Sequence, residues 1–309
     1  MLNILRQNIL NTITYFDIFH YPVTSEEIQS FLACEIQPAK LNTCLQSLLT
    51  ETIIFKLGNF YSLRNDPALA TRRSNGNRMA LMEMKHARTA AAILSRFPYV
   101  KGLAISGSLS KNFADDTTDI DFFIITEANR LWIARTLLQL FYKLAYIAGK
   151  RRWFCLNYYI DEKGLEISEK NIFTAMEIVT LVPMHGAQTI GKFLTANSWT
   201  DEYFPLRKTV ASGIKPMRKT FLKTIIERIF NTKAGDKIDL WLMKITHMRW
   251  QKKAIQHKIN EKGIYIGMMV DRHFSKPNPA NFQDQIIHQY QARVAELKQK
   301  QLRSVNLVN

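Results

Sequence analysis

Along the first 66 residues, apolar positions recur at helical spacing and then give way to a short extended stretch. Leu2, Ile4, Leu5, Ile9, Leu10 and Ile13 mark one face of a first helix. After His20-Tyr21-Pro22, the run Thr24-Ser25-Glu26-Glu27 forms a capping box ahead of Ile28, Phe31 and Leu32 and predicts a second helix. Pro38 suits the first turn of a third, which carries Leu41, Cys44, Leu45, Leu48 and Leu49 inward. Gly58-Asn59 then divides two apolar runs, a two-residue hairpin signal.

The next segment, Asn65 to Asn77, holds Pro67, Ser74, Asn75 and Gly76 and predicts a boundary. A helix is expected from about Arg78 to Arg96, ended by Phe97-Pro98. Beyond it, strand and helix patterns alternate. Strands are predicted over Val100–Ser106, Ile120–Thr126 and Trp153–Ile160, and Leu165-Glu166-Ile167 is expected to return as a hairpin after Asp161–Gly164. Leu131 to Gly149 is apolar enough to invite a membrane-spanning assignment, but Arg135, Gln139 and Lys143 recur every four residues. They make it a helix with a polar stripe, lying against a soluble core.

Further helices are expected over Asn171–Met184, ended by Pro183, and near Ile190–Leu194. The Trp199 and Phe204-Pro205 cluster marks a junction. The remainder is mostly helical by pattern, with a loop at Ser275–Pro279 and a last helix from Gln283 to Gln301. The fold class is therefore α+β: an N-terminal helical unit over 1–66, a mixed-sheet core over 67–204 and a helical C-terminal region over 205–309.

Charge divides the chain the same way. Residues 1–204 hold 21 basic and 19 acidic side chains, whereas 205–309 hold 21 and 7, so the last third carries +14 of the net +16. That excess exceeds what solubility needs and points to an anionic partner, whether RNA, DNA or an acidic protein surface. The first 66 residues balance at −2, with Lys40 the one base on the predicted third helix. Three helices and a hairpin resemble a winged helix-turn-helix in order and spacing. With so few phosphate-binding side chains, its favoured use is packing against the chain or a protein rather than reading DNA. Cys34, Cys44 and Cys155 are an odd, scattered set that suggests neither disulfide framework nor zinc site. The seven histidines form no ligand-spaced pair and are expected at the surface or in turns. No export signal is read at the start, so a cytoplasmic setting and no membrane partner are expected.

The chemistry lies between Ile105 and Ile125. Gly107-Ser108 leaves a strand and opens a short helical stretch, so backbone amides and the Ser108 hydroxyl can meet a phosphate without a bulky side chain intervening. After ten further residues, Asp119 and Asp121 lie two apart on a predicted strand. That spacing puts both carboxylates on one sheet face, about 6.6 Å apart by rise. Two acids beside a phosphate cradle can hold Mg²⁺ or Mn²⁺ against a triphosphate, which points to nucleotidyl transfer. Asp115-Asp116 lacks the glycine and glutamate of a calcium loop.

Gly-Ser, a ten-residue spacer and Asp119-Ile120-Asp121-Phe122 resemble the signature of the DNA polymerase β-like nucleotidyltransferase superfamily over roughly residues 99 to 160. Ser106 stands where an apolar residue is usual. The resemblance implies that Gly107 and Ser108 hold the triphosphate of an NTP and that Asp119 and Asp121 coordinate the metal. Lys111 in the same stretch, and Lys192 in a helix that would close over the site, are candidate triphosphate contacts. The acceptor is open: RNA, protein or a small molecule carrying a hydroxyl or phosphate. The family's third carboxylate is not evident. Asn157 holds the middle of the following strand and cannot act as a base, while Asp161, four residues on, and Glu166 are the carboxylates left to replace it. An active transferase and a silent module that binds nucleotide or nucleic acid are both consistent with that substitution.

Overall fold

The computed structural model describes residues 2–32, 34–207, 213–256, 267–277 and 282–306. The N-terminal unit forms as the periodicity predicts. Helices α1 (Leu2–Asp17), α2 (Ser25–Ser30) and α3 (Pro38–Thr50) precede a hairpin of β1 (Phe55–Leu57) and β2 (Phe60–Ser62). Thr24 Oγ1 accepts from the Glu27 amide at 3.2 Å and the Glu27 carboxylate accepts from the Thr24 amide at 2.9 Å, closing the capping box. Ile9, Leu10, Ile13, Ile28, Leu45 and Leu48 fill the core between the helices.

The expected linker is helical. Helix α4 runs unbroken over Pro67–Leu94, because Asp66 caps its start by accepting from the Ala68 amide at 3.0 Å and Pro67 occupies its first turn, where no amide donor is needed. Gly76, which reads as a breaker in sequence, instead lets the ring of Phe113 lie where a Cβ would stand. Arg73, one turn earlier, is buried; it pairs with Glu27 and sits 3.9 Å over the Tyr21 ring. The helix thus joins the N-terminal unit to the core through packed contacts.

Six strands make one mixed sheet in the order β6-β3-β4-β5-β8-β7. Strand β3 (Val100–Ile105) pairs antiparallel with both β4 (Asp121–Thr126) and β6 (Val182–His185). Strand β4 runs parallel to β5 (Cys155–Asp161), joined by α6 (Leu131–Ile147). Strands β7 (Met268–Val270) and β8 (Phe274–Pro277) add a hairpin to the far edge of β5. Helices α4 and α6 cover one face, where Ala91, Leu94, Phe122, Ile124, Trp132 and Tyr159 meet. After β3 comes a single helical turn, α5 (Gly107–Ser110); α7 (Ile172–Val179) and α8 (Ala187–Ala196) cover the other face, over Phe123, Ile125 and Ile160.

Three expectations are corrected here. The helix predicted to Met184 stops at Val179, and Pro183 lies in edge strand β6, where a missing amide is tolerated. His185 on that strand is buried, not at the surface. The strand beside β5 is β8, drawn from the segment expected as a loop, while Leu165 and Ile167 form no strand and are held by the Asn197 side chain. Lys258, His257 and the end of the Ser275–Pro279 stretch lie outside the described residues.

Of the polar stripe of α6, Arg135 turns inward, Gln139 is half-buried and Lys143 stays in solvent. Arg135 is buried with its guanidinium over the rings of Trp132 and Tyr159, at 5.5 and 5.8 Å, while Leu140, Leu144 and Ile147 are exposed. Among the described residues no helix is long and apolar enough to cross a membrane. The C-terminal region adds α9 (Phe221–Phe230) and α10 (Lys233–Ile255), with α10 against α6, and α11 (Phe282–Asn306), which returns to α1. Tyr290 meets Tyr15 there and Arg293 pairs with Asp17.

Asp239 ties α10 to α6: its buried carboxylate accepts from the Ile133 amide at 2.8 Å and from Arg272 at 3.0 Å. Burial lifts this carboxyl to about 6, against the opposing pull of the Ile133 amide and Arg272. Because the folded value lies above the unfolded one, its contribution to stability is whole below about pH 4 and is lost as pH rises through about 6. In urea unfolding, wild type is expected to lose on the order of 2 kcal/mol relative to Asp239→Asn between about pH 4 and pH 7. A difference that does not vary with pH would contradict a proton held at this position. Gly76→Ala is expected to destabilise by about 1–3 kcal/mol despite its better helix propensity, since the new methyl displaces Phe113; an unchanged urea midpoint would show that the ring moves freely.

Candidate functional site

Strand β3 ends at Ile105, and beyond Ser106 the chain turns at Gly107 with φ +69°. Two constraints meet at this glycine. Its backbone lies in the left-handed region, and a Cβ added to it would stand 2.5 Å from Asp121 Oδ2. The turn is braced through its carbonyl, which accepts from Ser110 Oγ at 2.8 Å and from Lys111 Nζ at 3.3 Å. Ser108 is partly exposed on the turn.

Asp121 opens β4 directly beside this turn. Its carbonyl accepts from the Ser106 amide at 3.0 Å, continuing the β3–β4 ladder by one step. Asn157 Nδ2 donates to its carboxylate at 2.6 Å. Asn157 lies at the register shift in the β4–β5 pairing, where Asp121 and Phe122 face Cys155 and Leu156 but Phe123 faces Tyr158. The bulge inserts the asparagine where its amide reaches the carboxylate. Burial, then the charge of Asp121, pushes the Cys155 thiol well above its ordinary value, so it is not a nucleophile at neutral pH.

Asp119 falls just before the strand rather than within it. Ile120 between them is extended, its amide donating to the Arg152 carbonyl at 2.9 Å and its carbonyl accepting from the Cys155 amide at 3.0 Å. Its side chain is buried among Phe122 and Phe154 under α4 and α6. Alternation turns Asp121 to the opposite side, the side on which Gly107 approaches it, while Asp119 lies outside the strand, its charge reaching Tyr142 of α6. The charge of Asp119 also acts on Cys155. Before the pair, burial works against ionisation of Asp115, but hydrogen bonds from Thr117 and Thr118 hold its carboxyl below its ordinary value. Arg152 ties off the carbonyls of Asp115 and Thr118. This loop fixes the approach to Asp119 and leaves Asp115 engaged in its own turn.

The remaining candidates lie elsewhere. Asp161 pairs with Thr126 at the far end of the β4–β5 ladder, five residues from Asp121 and about 17 Å along the strand by rise. It is fully buried and accepts from the amides of Asn129, Lys163 and Gly164 at 2.8 to 3.1 Å, with His273 Nδ1 at 3.0 Å. Its role is to pin the β5 turn. Glu166 is exposed and pairs with Lys170 at 2.7 Å. Lys192 is exposed on α8, between the buried Ile190 and Phe193 that face the sheet. Lys111 bridges Gly107 to Glu177 of α7 at 2.8 Å, so it braces the turn from a distance of one helix. Tyr21 of the N-terminal unit adds a second brace, donating its hydroxyl to the Lys111 carbonyl. Neither brace is foreshadowed by a local motif, because both partners lie tens of residues away.

Among the described residues no group of three His, Cys, Asp or Glu side chains is placed to hold a metal ion. The two carboxylates nonetheless supply hard oxygen donors of the kind Mg²⁺ takes, with the rest of its shell normally completed by water and substrate phosphates. Gly107→Ala is expected to cost more than Gly58→Ala, because Gly58 has a similar φ of +64° but open space where a Cβ would go. Strain alone accounts for about 1–2 kcal/mol at each, and displacement of Asp121 adds to it at Gly107. Equal losses in urea unfolding would place Asp121 away from the turn. Compared with known proteins, the chain matches no family model, no curated protein and no solved structure.

Proposed function

We propose that this protein is a divalent-metal-dependent nucleotidyltransferase that moves a nucleoside monophosphate from an NTP to an acceptor and releases pyrophosphate. The observation that carries the reading is the approach of Asp121 to Gly107, which sets a carboxylate able to take a metal beside a turn open enough for polyphosphate. Asp119 and Asp121 would hold Mg²⁺ or Mn²⁺, which when bound supplies positive charge against the leaving pyrophosphate. Gly107 and Ser108 would admit the triphosphate without steric conflict, and Lys111 would keep the turn in place through Glu177 rather than bind phosphate itself. The N-terminal unit is read as a winged-helix-like module whose use is to support the core, through Tyr21 and the Arg73–Glu27 pair. A cytoplasmic setting agrees with this chemistry.

Asn157 narrows the acceptor. Its amide cannot take a proton, and it donates to the very carboxylate beside which a base is wanted. An acceptor that arrives already ionised, such as a phosphate monoester, needs no such base, so this class is favoured over an alcohol. The same asparagine supports a second reading, a silent module that binds nucleotide without turnover.

Incubation of the purified protein with each α-labelled NTP, Mg²⁺ or Mn²⁺ and cell extract separates the two. Label transfer that drops by on the order of a hundredfold or more in Asp121→Ala is expected for the enzyme. Nucleotide binding with no transfer in wild type under any of these conditions would leave the silent module.

A further inference from the structure

Helix α9 is folded with its apolar side to solvent. Its inward face is polar: Lys223 Nζ donates to the Val100 carbonyl at 3.1 Å, and Glu227 accepts from the Tyr99 amide at 2.8 Å. Phe221, Leu222, Ile225 and Ile229 fall within about 100° of arc on the other face at helical spacing. Phe221 is 83% exposed, Leu222 66% and Ile229 60%. On α10, Trp241, Met248 and Ile255 repeat every seven residues along one line, and Trp241 is 59% and Ile255 77% exposed. The two helices pack on each other.

Charge is sorted across the same pair of helices. All three acids they carry are paired: Glu227 with the Tyr99 amide and Asp239 with Arg272 and the Ile133 amide toward the core, and the half-exposed Asp236 with Arg130. Arg228, Lys233, Lys237, Lys244, Arg249 and Lys252 are exposed. Apolar side chains interleaved with outward cations and no outward unpaired acid make an interfacial pattern. Nucleic acid would account for the cations but leaves Phe221, Leu222 and Ile229 in water. A second copy of the chain brings the same net +16 to the contact.

We infer that the outer face of α9 and α10 docks on an anionic lipid bilayer, with the apolar side chains of α9 and Trp241 entering the headgroup boundary and the lysines and arginines meeting lipid phosphates. Surface binding of this kind departs from the expectation of no membrane partner, and it needs no spanning segment. It stands independently of the nucleotidyl-transfer reading, since no residue of the Gly107–Asp121 site takes part.

Vesicle flotation with the full-length protein tests it. Binding is expected to phosphatidylcholine vesicles containing about 30% phosphatidylglycerol and not to phosphatidylcholine alone, and to weaken as salt rises. The double variant Ile225→Asp with Ile229→Asp is expected to lose at least about tenfold in vesicle affinity with an unchanged thermal midpoint, since both side chains are exposed. Should that variant shift the midpoint, Lys244→Glu with Lys252→Glu gives a second reading of the same face, with a loss of similar size. Equal binding to neutral and anionic vesicles would overturn the inference, as would wild-type flotation by both variants. So would absence of vesicle binding alongside capture of an RNA oligonucleotide, or alongside a dimer that the aspartate variant dissolves.

Discussion

The approach of a carboxylate to a glycine with no room for a side chain is the constraint on which the site depends. Gly107 must be both left-handed and bare, and Asp121 must begin its strand at the point where β3 ends. The β3–β4 register delivers that coincidence: Ile105 faces Phe122, and one step further the Ser106 amide donates to the Asp121 carbonyl. Asn157, raised into place by a bulge in the β5 pairing, then holds the carboxylate from the other side. The turn is fixed by partners from two other parts of the chain, Glu177 on α7 and Tyr21 in the N-terminal unit. A site assembled this way is preorganised by the sheet and does not require its loop to find the geometry on its own.

Elsewhere the molecule places ionic groups inside and apolar groups outside at several points on one half. Arg135 lies under the sheet-facing side of α6, Lys223 under α9 and Asp239 beneath α10, each with a defined contact to backbone, ring or counter-ion. Such buried charges contribute little net stability compared with apolar residues of the same size, but they fix which face of each helix meets the core. The exposed leucines and isoleucines on the opposite faces are the consequence. The two halves thus differ in kind: a conventionally packed core around the Gly107 turn, and a C-terminal layer whose outer surface resembles an interface.

Much of this was legible in the sequence where the signal is local. The capping box at Thr24, the hairpin at Gly58 and the three central strands follow from spacing and turn chemistry alone, as does the nearness of the Gly107 turn to Asp121. What was misread depends on distant partners. Pro183 reads as a helix stop until an edge strand is there to accept it, and Ser275 reads as loop because β8 gains its strand character from β5, more than a hundred residues earlier. Gly76 reads as a break until Phe113 fills the space beside it. The polar stripe on α6 has the right period, but Arg135 at its start is buried while Lys143 stays in solvent, since periodicity identifies a row of residues without saying which of them meets a neighbour. Asp161 has the right residue type and lies on the right strand, yet the ladder carries it to the wrong end.

The most direct measurement of the central claim is calorimetric titration of the protein with a non-hydrolysable NTP analogue, with and without Mg²⁺, in wild type and Asp121→Asn. Binding that needs the metal and weakens by about tenfold or more in the variant is the result predicted for a carboxylate holding a cation against the phosphates at Gly107. Affinity indifferent to both Mg²⁺ and the substitution, or no affinity for the analogue in either protein, would contradict it.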